Sequence, residues 1–402
     1  MDLEVRSITD DEFPRFTLDL SSSFGEDLDA VRVEHYRAYS DVDRAFAAFD
    51  GAEMVGTAGS FAFDLTLPGG TAVPVAGVTA VSVRPTHRRR GVLTAMMAHQ
   101  LDDVARRGEP VAVLTASESS IYGRFGYGIA TFKLTWALAR QHNAFRRAPQ
   151  AGGRIRLVTA EDARKILPGV YERVRHAIPG AVSRRPSWWD NWAHDVIEDR
   201  RGATARLHAV HETDEGEVDG YALWRRLGEP NLVIDEVHAL DDEVEAALFR
   251  FLFDIDLVTE VRAWQRPVDD RVPWRLVDPR QLRVQSVRDD LYVRVLDPAA
   301  ALVARRYGSD DELVLEITDS FRPANEGRWL VAGGADAASC ASTSRPADLA
   351  MSIVELGSLL LGGVKATPLA RAGRIEERTA GALRRADAFF GWGVAPWLTN
   401  GF

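Results

Sequence analysis

Apolar and polar positions change period several times over the first 130 residues, and each change marks an element. Runs at Phe46–Phe49 and Met54–Phe63, parted by Asp50-Gly51, predict an antiparallel hairpin, because Asp-Gly supplies a tight turn. The stretch Leu65–Val83 contains a second hairpin turning at Pro68-Gly69-Gly70. From Gly91 to about Arg107 the period lengthens. Val92, Leu93, Met96, Met97, Leu101 and Val104 recur at three- and four-residue spacing, as one buried helix face requires. Pro110–Ala116, a short apolar run between Gly108 and a serine-rich turn, predicts a buried strand.

From Arg140 to Gly153 the chain turns polar and carries Pro149, Gly152 and Gly153, so a linker is expected there. Beyond it, Gly220–Trp224, Leu232–Leu240, the helix Asp241–Leu252 and the strand Val258–Ala263 repeat the strand-strand-helix-strand order of the first part, as a degenerate duplication would. The last part opens on a strand at Asp290–Val295. It continues with a helix at Pro298–Arg306, strands near Leu313–Asp319 and Gly327–Val331, and helices at Ser352–Leu360 and Ile375–Phe389. The expected architecture is an α/β (α+β) chain of three domains, residues 1–147, 154–288 and 289–402.

Composition narrows the function classes. The 402 residues suit two or three cores, and 46% apolar with 27% charged residues is a globular balance. No apolar run approaches the roughly 18–20 residues that span a bilayer. The acidic start MDLEVRSITDDEF lacks the pattern of a secretory signal, so a soluble, cytoplasmic protein without membrane contact is expected. Cys340 is the single cysteine, which excludes an intramolecular disulfide and a thiolate-rich zinc site. Only Lys133, Lys165 and Lys365 among the 49 basic residues are lysines, the mark of a GC-rich genome. A net charge of −10 argues against a nucleic-acid partner and fits a cationic substrate better. Scattered histidines without HxxxH or HExxH spacing argue against a metal.

The chemistry concentrates in one segment. Val81-Ser82-Val83 runs into Arg84-Pro85-Thr86-His87, and Arg88-Arg89-Arg90-Gly91-Val92-Leu93 then opens the long helix. A glycine turn at a helix N-terminus presents unpaired amides beside the positive end of the dipole, which suits an anion. Arginine adds fork-shaped, permanently charged donors for phosphate oxygens. An isolated RRRG is most often a solvated basic turn. Here an apolar strand precedes it, an amphipathic helix follows, and SIYGRFGYG stands at Ser120–Gly128, so the anion site is the better reading.

The segment resembles the GNAT superfamily of N-acetyltransferases, whose phosphate loop reads Arg or Gln, two residues, Gly, one residue, then Gly or Ala. Arg88, Gly91 and Leu93 fill those places, Leu93 being a departure. THRRRG at the helix start, and SE followed after two residues by IYGRFGYG, are similar to the enhanced intracellular survival (Eis) family. The resemblance extends over the whole chain. It implies an N-terminal GNAT domain, a degenerate GNAT-like scaffold and a sterol-carrier-like domain that brings the C-terminal carboxylate. It further implies acetyl-CoA as cosubstrate, no metal, a homohexamer, and small polyamines such as aminoglycosides as acceptors. The backbone of Val81, Ser82 and Val83 would pair with the pantetheine arm. Arg88, Arg89, Arg90, Gly91, Val92, Leu93 and Thr94 would hold the pyrophosphate, and Ser117 and Glu118 would line the gap where the cofactor enters.

Acyl transfer from a thioester to an amine needs a neutral amine, a polarised carbonyl and a proton for the leaving thiolate. Tyr122 and Tyr127 are the candidate donors, and the resemblance assigns the role to Tyr122. It assigns the base to the carboxylate at Phe402, which an apolar cleft would make more basic than a free α-carboxyl. Glu26, Asp27 and Asp29 are candidate attractors of a polycation, and Phe24, Tyr36, Trp392 and Trp397 candidate walls. Gly401 and Asn400 stand where some relatives of the family carry acid beside the terminal Phe. At the second helix start, Asp241-Asp242-Glu243 would repel a pyrophosphate, so that copy is expected to be scaffold. The cluster Trp188-Trp189-Asp190-Asn191-Trp192 reads as packing or a subunit interface. A protein-lysine or polyamine acetyltransferase, and a non-catalytic lipid-binding protein, remain the alternatives.

Overall fold

Alternation in the first 130 residues produces β1 (Leu3–Ser7), β2 (Phe46–Asp50), β3 (Glu53–Thr66) and β4 (Ala72–Val83), an antiparallel series, followed by β5 (Val111–Thr115) and the short β6 (Gly128–Ile129). The computed structural model describes residues 3–26, 28, 30–228 and 231–402. The second predicted turn forms at Leu67–Gly70, where Gly69 and Gly70 take φ of 94° and 84°. Its first arm is longer than the pattern suggested, since Glu53–Thr66 is one continuous strand. Period two sorts the β2 side chains. Ala47 and Phe49 pack with α1 (Phe13–Phe24) and α2 (Ala30–Tyr39), while Phe46 and Ala48 pack under α3 (Val92–Arg106). The buried face of α3 is the predicted one, with Leu93 only half-buried.

The middle of the chain supplies β7 (Phe132–Ala139), β8 (Arg154–Val158), α4 (Ala160–Arg175), α5 (Pro186–Ala193), β9 (Leu207–Glu212), β10 (Val218–Arg226), β11 (Asn231–Ala239), α6 (Asp242–Asp254), β12 (Glu260–Arg266) and β13 (Leu282–Asp289). Next comes β14 (Leu291–Val295). The two seven-stranded sheets run β1-β2-β3-β4-β5-β14-β6 and β13-β7-β12-β11-β10-β9-β8. Each sheet thus contains one strand from the other half of the chain. β14 lies antiparallel between β5 and β6, and β7 lies antiparallel between β12 and β13.

This exchange moves the expected boundaries. The chain divides into Met1–Thr131 with Asp290–Pro396 and Asn400–Phe402, and Phe132–Asp289 with Trp397–Thr399. The first division falls before residue 147 because β7 is hydrogen-bonded into the second sheet. The polar stretch read as a linker is part of that unit. Phe145 bridges to Leu276, and the Asn143 amide donates to the Phe253 carbonyl at 2.7 Å.

Residues after β14 form a five-stranded sheet, β17-β16-β15-β18-β19, built from β15 (Asp311–Thr318), β16 (Gly327–Gly333), β17 (Ala338–Ser342), β18 (Leu349–Ser352) and β19 (Ile375–Glu377). The helix expected over Ile375–Phe389 is instead β19 followed by a helix at Ala382–Phe390. Ile375 pairs with Met351, and Gly381, at φ 86°, starts the helix. A capped helix at Ile353–Leu359 lies directly on β6 and β14. Glycine permits this approach, since a Cβ at Gly128 would fall 1.9 Å from the Val354 carbonyl oxygen.

Candidate active site

The two parallel strands β4 and β5 are paired only between Val75–Gly77 and Val111–Val113, and beyond that register they part. On β4 the register against β3 shifts between Thr57 and Gly59, and Ala80 takes a positive φ of 55°. Buried Thr57 holds this bulge. Its hydroxyl donates to the Ala80 carbonyl at 2.8 Å and accepts from the Ser82 hydroxyl at 2.8 Å. The Ser82 side chain is thereby engaged, so Val81–Val83 offer a ligand their backbone.

The loop leaving β4 is clamped at its start by Arg84, paired with Asp19 at 2.7 Å and with Glu53. Arg89 has φ 61° and Gly91, the N-cap of α3, φ 85°. Gly91 has no side chain to cap the helix, and the first intrahelical bond is from the Ala95 amide to the Gly91 carbonyl. The amides of Val92, Leu93 and Thr94 therefore precede the helical ladder, at the positive end of the dipole. Arg88 and Arg89 are exposed beside them, on the wall of the cleft. Arg90 is turned aside, 3.8 Å from Asp50, and does not line it.

Opposite, Ser117 and Glu118 follow β5 and are exposed on the cleft, and a short 3₁₀ turn at Tyr122–Phe125 carries Tyr122 into it. Burial, and then the Glu118 carboxylate, raise the Tyr122 hydroxyl above its ordinary pKa of 10.0, so it keeps its proton at neutral pH. Tyr127 does not reach the cleft. It is fully enclosed, burial pushes its hydroxyl up further, and its ring stands edge-on to Tyr122 at 5.8 Å. Phe402 lines the same cleft as Tyr122. Its ring packs edge-on against Phe63 at 5.2 Å, and one of its main-chain oxygens accepts from the Thr115 hydroxyl at 3.3 Å. The cleft gathering these groups has a volume of about 740 Å³.

Of the four aromatic walls expected, only Phe24 lines it. Tyr36 packs with Tyr39 at 5.6 Å, Trp392 lies against Gly362, and Trp397 is buried in the second unit, stacked on His238 at 5.4 Å. Glu26 is exposed, while Asp27 and Asp29 lie outside the described residues. The tryptophan cluster is packing: Trp189 meets Tyr171 and Trp192 edge-on at 5.8 and 5.6 Å. Sequence reasoning passed over Thr57, Ala80, Thr115 and Phe63. A threonine or phenylalanine on a strand carries no local signal of what it faces. Arg124, inside the second motif, also lines the cleft.

The second helix start is the chemical inverse. Asp241 caps α6, its carboxylate accepting from the Glu243 and Val244 amides at 2.7 and 3.3 Å, and Asp242, Glu243 and Glu245 fill the first turn. Its amides are already engaged by an anion.

Residues 4–130 and 180–295 match two families described as acetyltransferase (GNAT) domain, and residues 298–399 match the sterol carrier protein domain. An uncharacterized N-acetyltransferase of Streptomyces coelicolor is 43% identical, with both chains covered in full. The N-acetyltransferase Eis of Mycobacterium tuberculosis is 34% identical over 97% of each chain. This chain belongs to the Eis family of GNAT N-acetyltransferases. The crystal structure of Eis1 from Mycobacterium abscessus matches with a TM-score of 0.88 at 34% identity, over 99% of this chain and all of that one. A GCN5-related N-acetyltransferase from Anabaena variabilis, 19% identical with a TM-score of 0.87, shares the fold. As an Eis-type enzyme the chain comprises two GNAT domains and a sterol-carrier-like domain, and it is an N-acetyltransferase. Among the described residues no group of His, Cys, Asp and Glu could hold a metal, and no helix is long and apolar enough to cross a membrane.

Proposed function

We propose that the cleft binds acetyl-CoA together with a small polyamine, of which aminoglycosides are the leading class, and passes the acetyl group directly between them. The observation that carries this is the lining of one cleft by the open start of α3, the unpaired edge of β4, Tyr122 and Phe402. The pyrophosphate sits on the amides of residues 92–94, flanked by Arg88 and Arg89, and the pantetheine arm pairs with Val81–Val83 as an added strand. The carboxylate at Phe402 takes a proton from the ammonium of the acceptor. The freed amine attacks the thioester carbonyl, the C–S bond breaks as Tyr122 gives its proton to the departing thiolate, and the proton shed by the cationic nitrogen as it becomes the amide returns to the Tyr122 oxygen, while the carboxylate releases its own to water. A tyrosine held above its ordinary pKa is protonated when the thiolate forms, which supports the assignment. The same reading takes the enzyme to be a cytoplasmic homohexamer, and light scattering on the purified protein checks the assembly.

The test is a thiol-release assay over aminoglycosides, polyamines and lysine peptides. Turnover confined to lysine peptides would move the substrate class to proteins. Tyr122→Phe should lower turnover at least about 10²-fold, the scale of general acid catalysis. One residue added after Phe402 should do the same, and full turnover in that extended protein would remove the carboxylate as base.

A further inference from the structure

Arg294 is a charged residue in the middle of a strand, β14, whose every position is buried. Its side chain is 0% exposed and that of Asp319 1%. One guanidinium nitrogen, Nη2, donates to both Asp319 oxygens, at 3.0 and 2.7 Å. The carboxylate is held in turn by the amides of Phe321 and Arg322 and by the Asn325 side chain at 2.8 Å. A buried pair of this kind generally adds little stability over apolar residues of the same volume, because both charges must be stripped of water. Stability is therefore a poor reason for its presence, and its location supplies a better one.

The guanidinium lies against the turn that carries Tyr122. A Cβ at Gly126 would sit 2.6 Å from the Arg294 Cζ, so Gly126, at φ 89°, closes the turn directly on the charged plane. The turn is short: the Gly126 amide donates to the Gly123 carbonyl, and the Tyr127 amide to the Tyr122 carbonyl at 3.2 Å. Phe125 packs edge-on against Phe321, which follows Asp319, at 5.1 Å. The turn thus rests on groups from β14 and from the segment after β15.

We propose that Arg294 and Asp319 are a positioning pair for Tyr122: locked to each other, they fix the turn from beneath and hold the Tyr122 hydroxyl where the thiolate forms. The proposal rests on Tyr122 acting as the acid. Catalysis in the first GNAT domain then depends on a strand from the far end of the second and on a carboxylate from the sterol-carrier-like domain. Displacement of a reacting group by about 1 Å can cost on the order of 10²-fold in rate.

The test is Arg294→Met with Asp319→Asn in the full chain, which removes both charges together. Turnover should fall roughly 10- to 100-fold, with the KM for acetyl-CoA changed by less than about twofold, since the phosphate loop is built elsewhere. In a Tyr122→Phe background the same double change should cost nothing further, because the group it positions is gone. Wild-type turnover in a folded double variant, or a loss that multiplies with that of Tyr122→Phe, would overturn the pair's role. A Tyr122→Phe enzyme with full turnover would instead remove the acid, and the positioning role with it. Should the double variant fail to fold, Arg294→Lys, which keeps the charge but loses the plane on which Gly126 closes, must show the same split between turnover and KM; unchanged turnover there overturns the proposal.

Discussion

The two GNAT domains place a helix start after a strand in the same topological position, and the two starts solve the same electrostatic problem oppositely. At α3, Gly91 leaves the terminal amides without a side-chain cap and Arg88 and Arg89 stand beside them. At α6, the Asp241 carboxylate occupies the amides and three further acids follow. A helix N-terminus attracts negative charge wherever it comes from. The first domain leaves its amides open, where we propose that the pyrophosphate binds, and the second supplies the charge from its own chain. The N-caps, Gly91 in one and Asp241 in the other, thus differ more sharply than the folds that carry them.

That comparison can be broken by exchanging the solutions. Gly91→Asp puts a carboxylate where the pyrophosphate is proposed to sit, and there is space for it around Gly91, although the positive φ adds strain. Acetyl-CoA affinity in titration calorimetry should fall at least about 100-fold, roughly 2.7 kcal/mol. An affinity that survives would show that the open amides are not the phosphate site. Arg88→Ala should weaken binding about 10-fold and Arg90→Ala less than about twofold, because only the former faces the cleft. Asp241→Ala removes a cap and should lower stability to urea by about 1 kcal/mol with acetyl-CoA affinity unchanged. The smallest effect concerns Tyr122. Its pKa is raised first by burial and second by Glu118, so Glu118→Gln should lower it part-way while burial keeps it elevated. The alkaline fall of kcat/KM should then move to lower pH by less than about one unit. A move to higher pH would contradict the sign of the Glu118 effect.

What could be read from the sequence was what is locally encoded. The turn into α3 needs a glycine at positive φ and donors for an anion, so THRRRG is legible once the apolar strand before it and the amphipathic helix after it are seen, as is the buried face of α3. The turn at Tyr122 is equally local. Partnership between strands is not. Phe132–Ala139 forms a strand that the pattern does not single out, and nothing in FKLTWALA states that it pairs with β12 and β13. The domain boundary was therefore placed at the polar stretch after it. The helix expected from Ile375 begins later than expected for a non-local reason: Ile375–Glu377 pairs with β18, and Gly381 at positive φ starts the helix. Arg294 is itself visible in the sequence, as a lone arginine inside the apolar run LYVRV.

The exchange of β7 and β14 also bears on how the molecule is made. A ribosome releases β1 to β6 long before it has synthesised the strand that belongs between β5 and β6, where Tyr292 pairs with Leu114 and with Ile129. Until then β5 is an open edge and β6 has no sheet partner, an arrangement prone to pairing with a wrong strand. Closing of the first sheet is thus tied to translation of the second half, and a chain interrupted before residue 291 lacks the strand that joins β5 to β6.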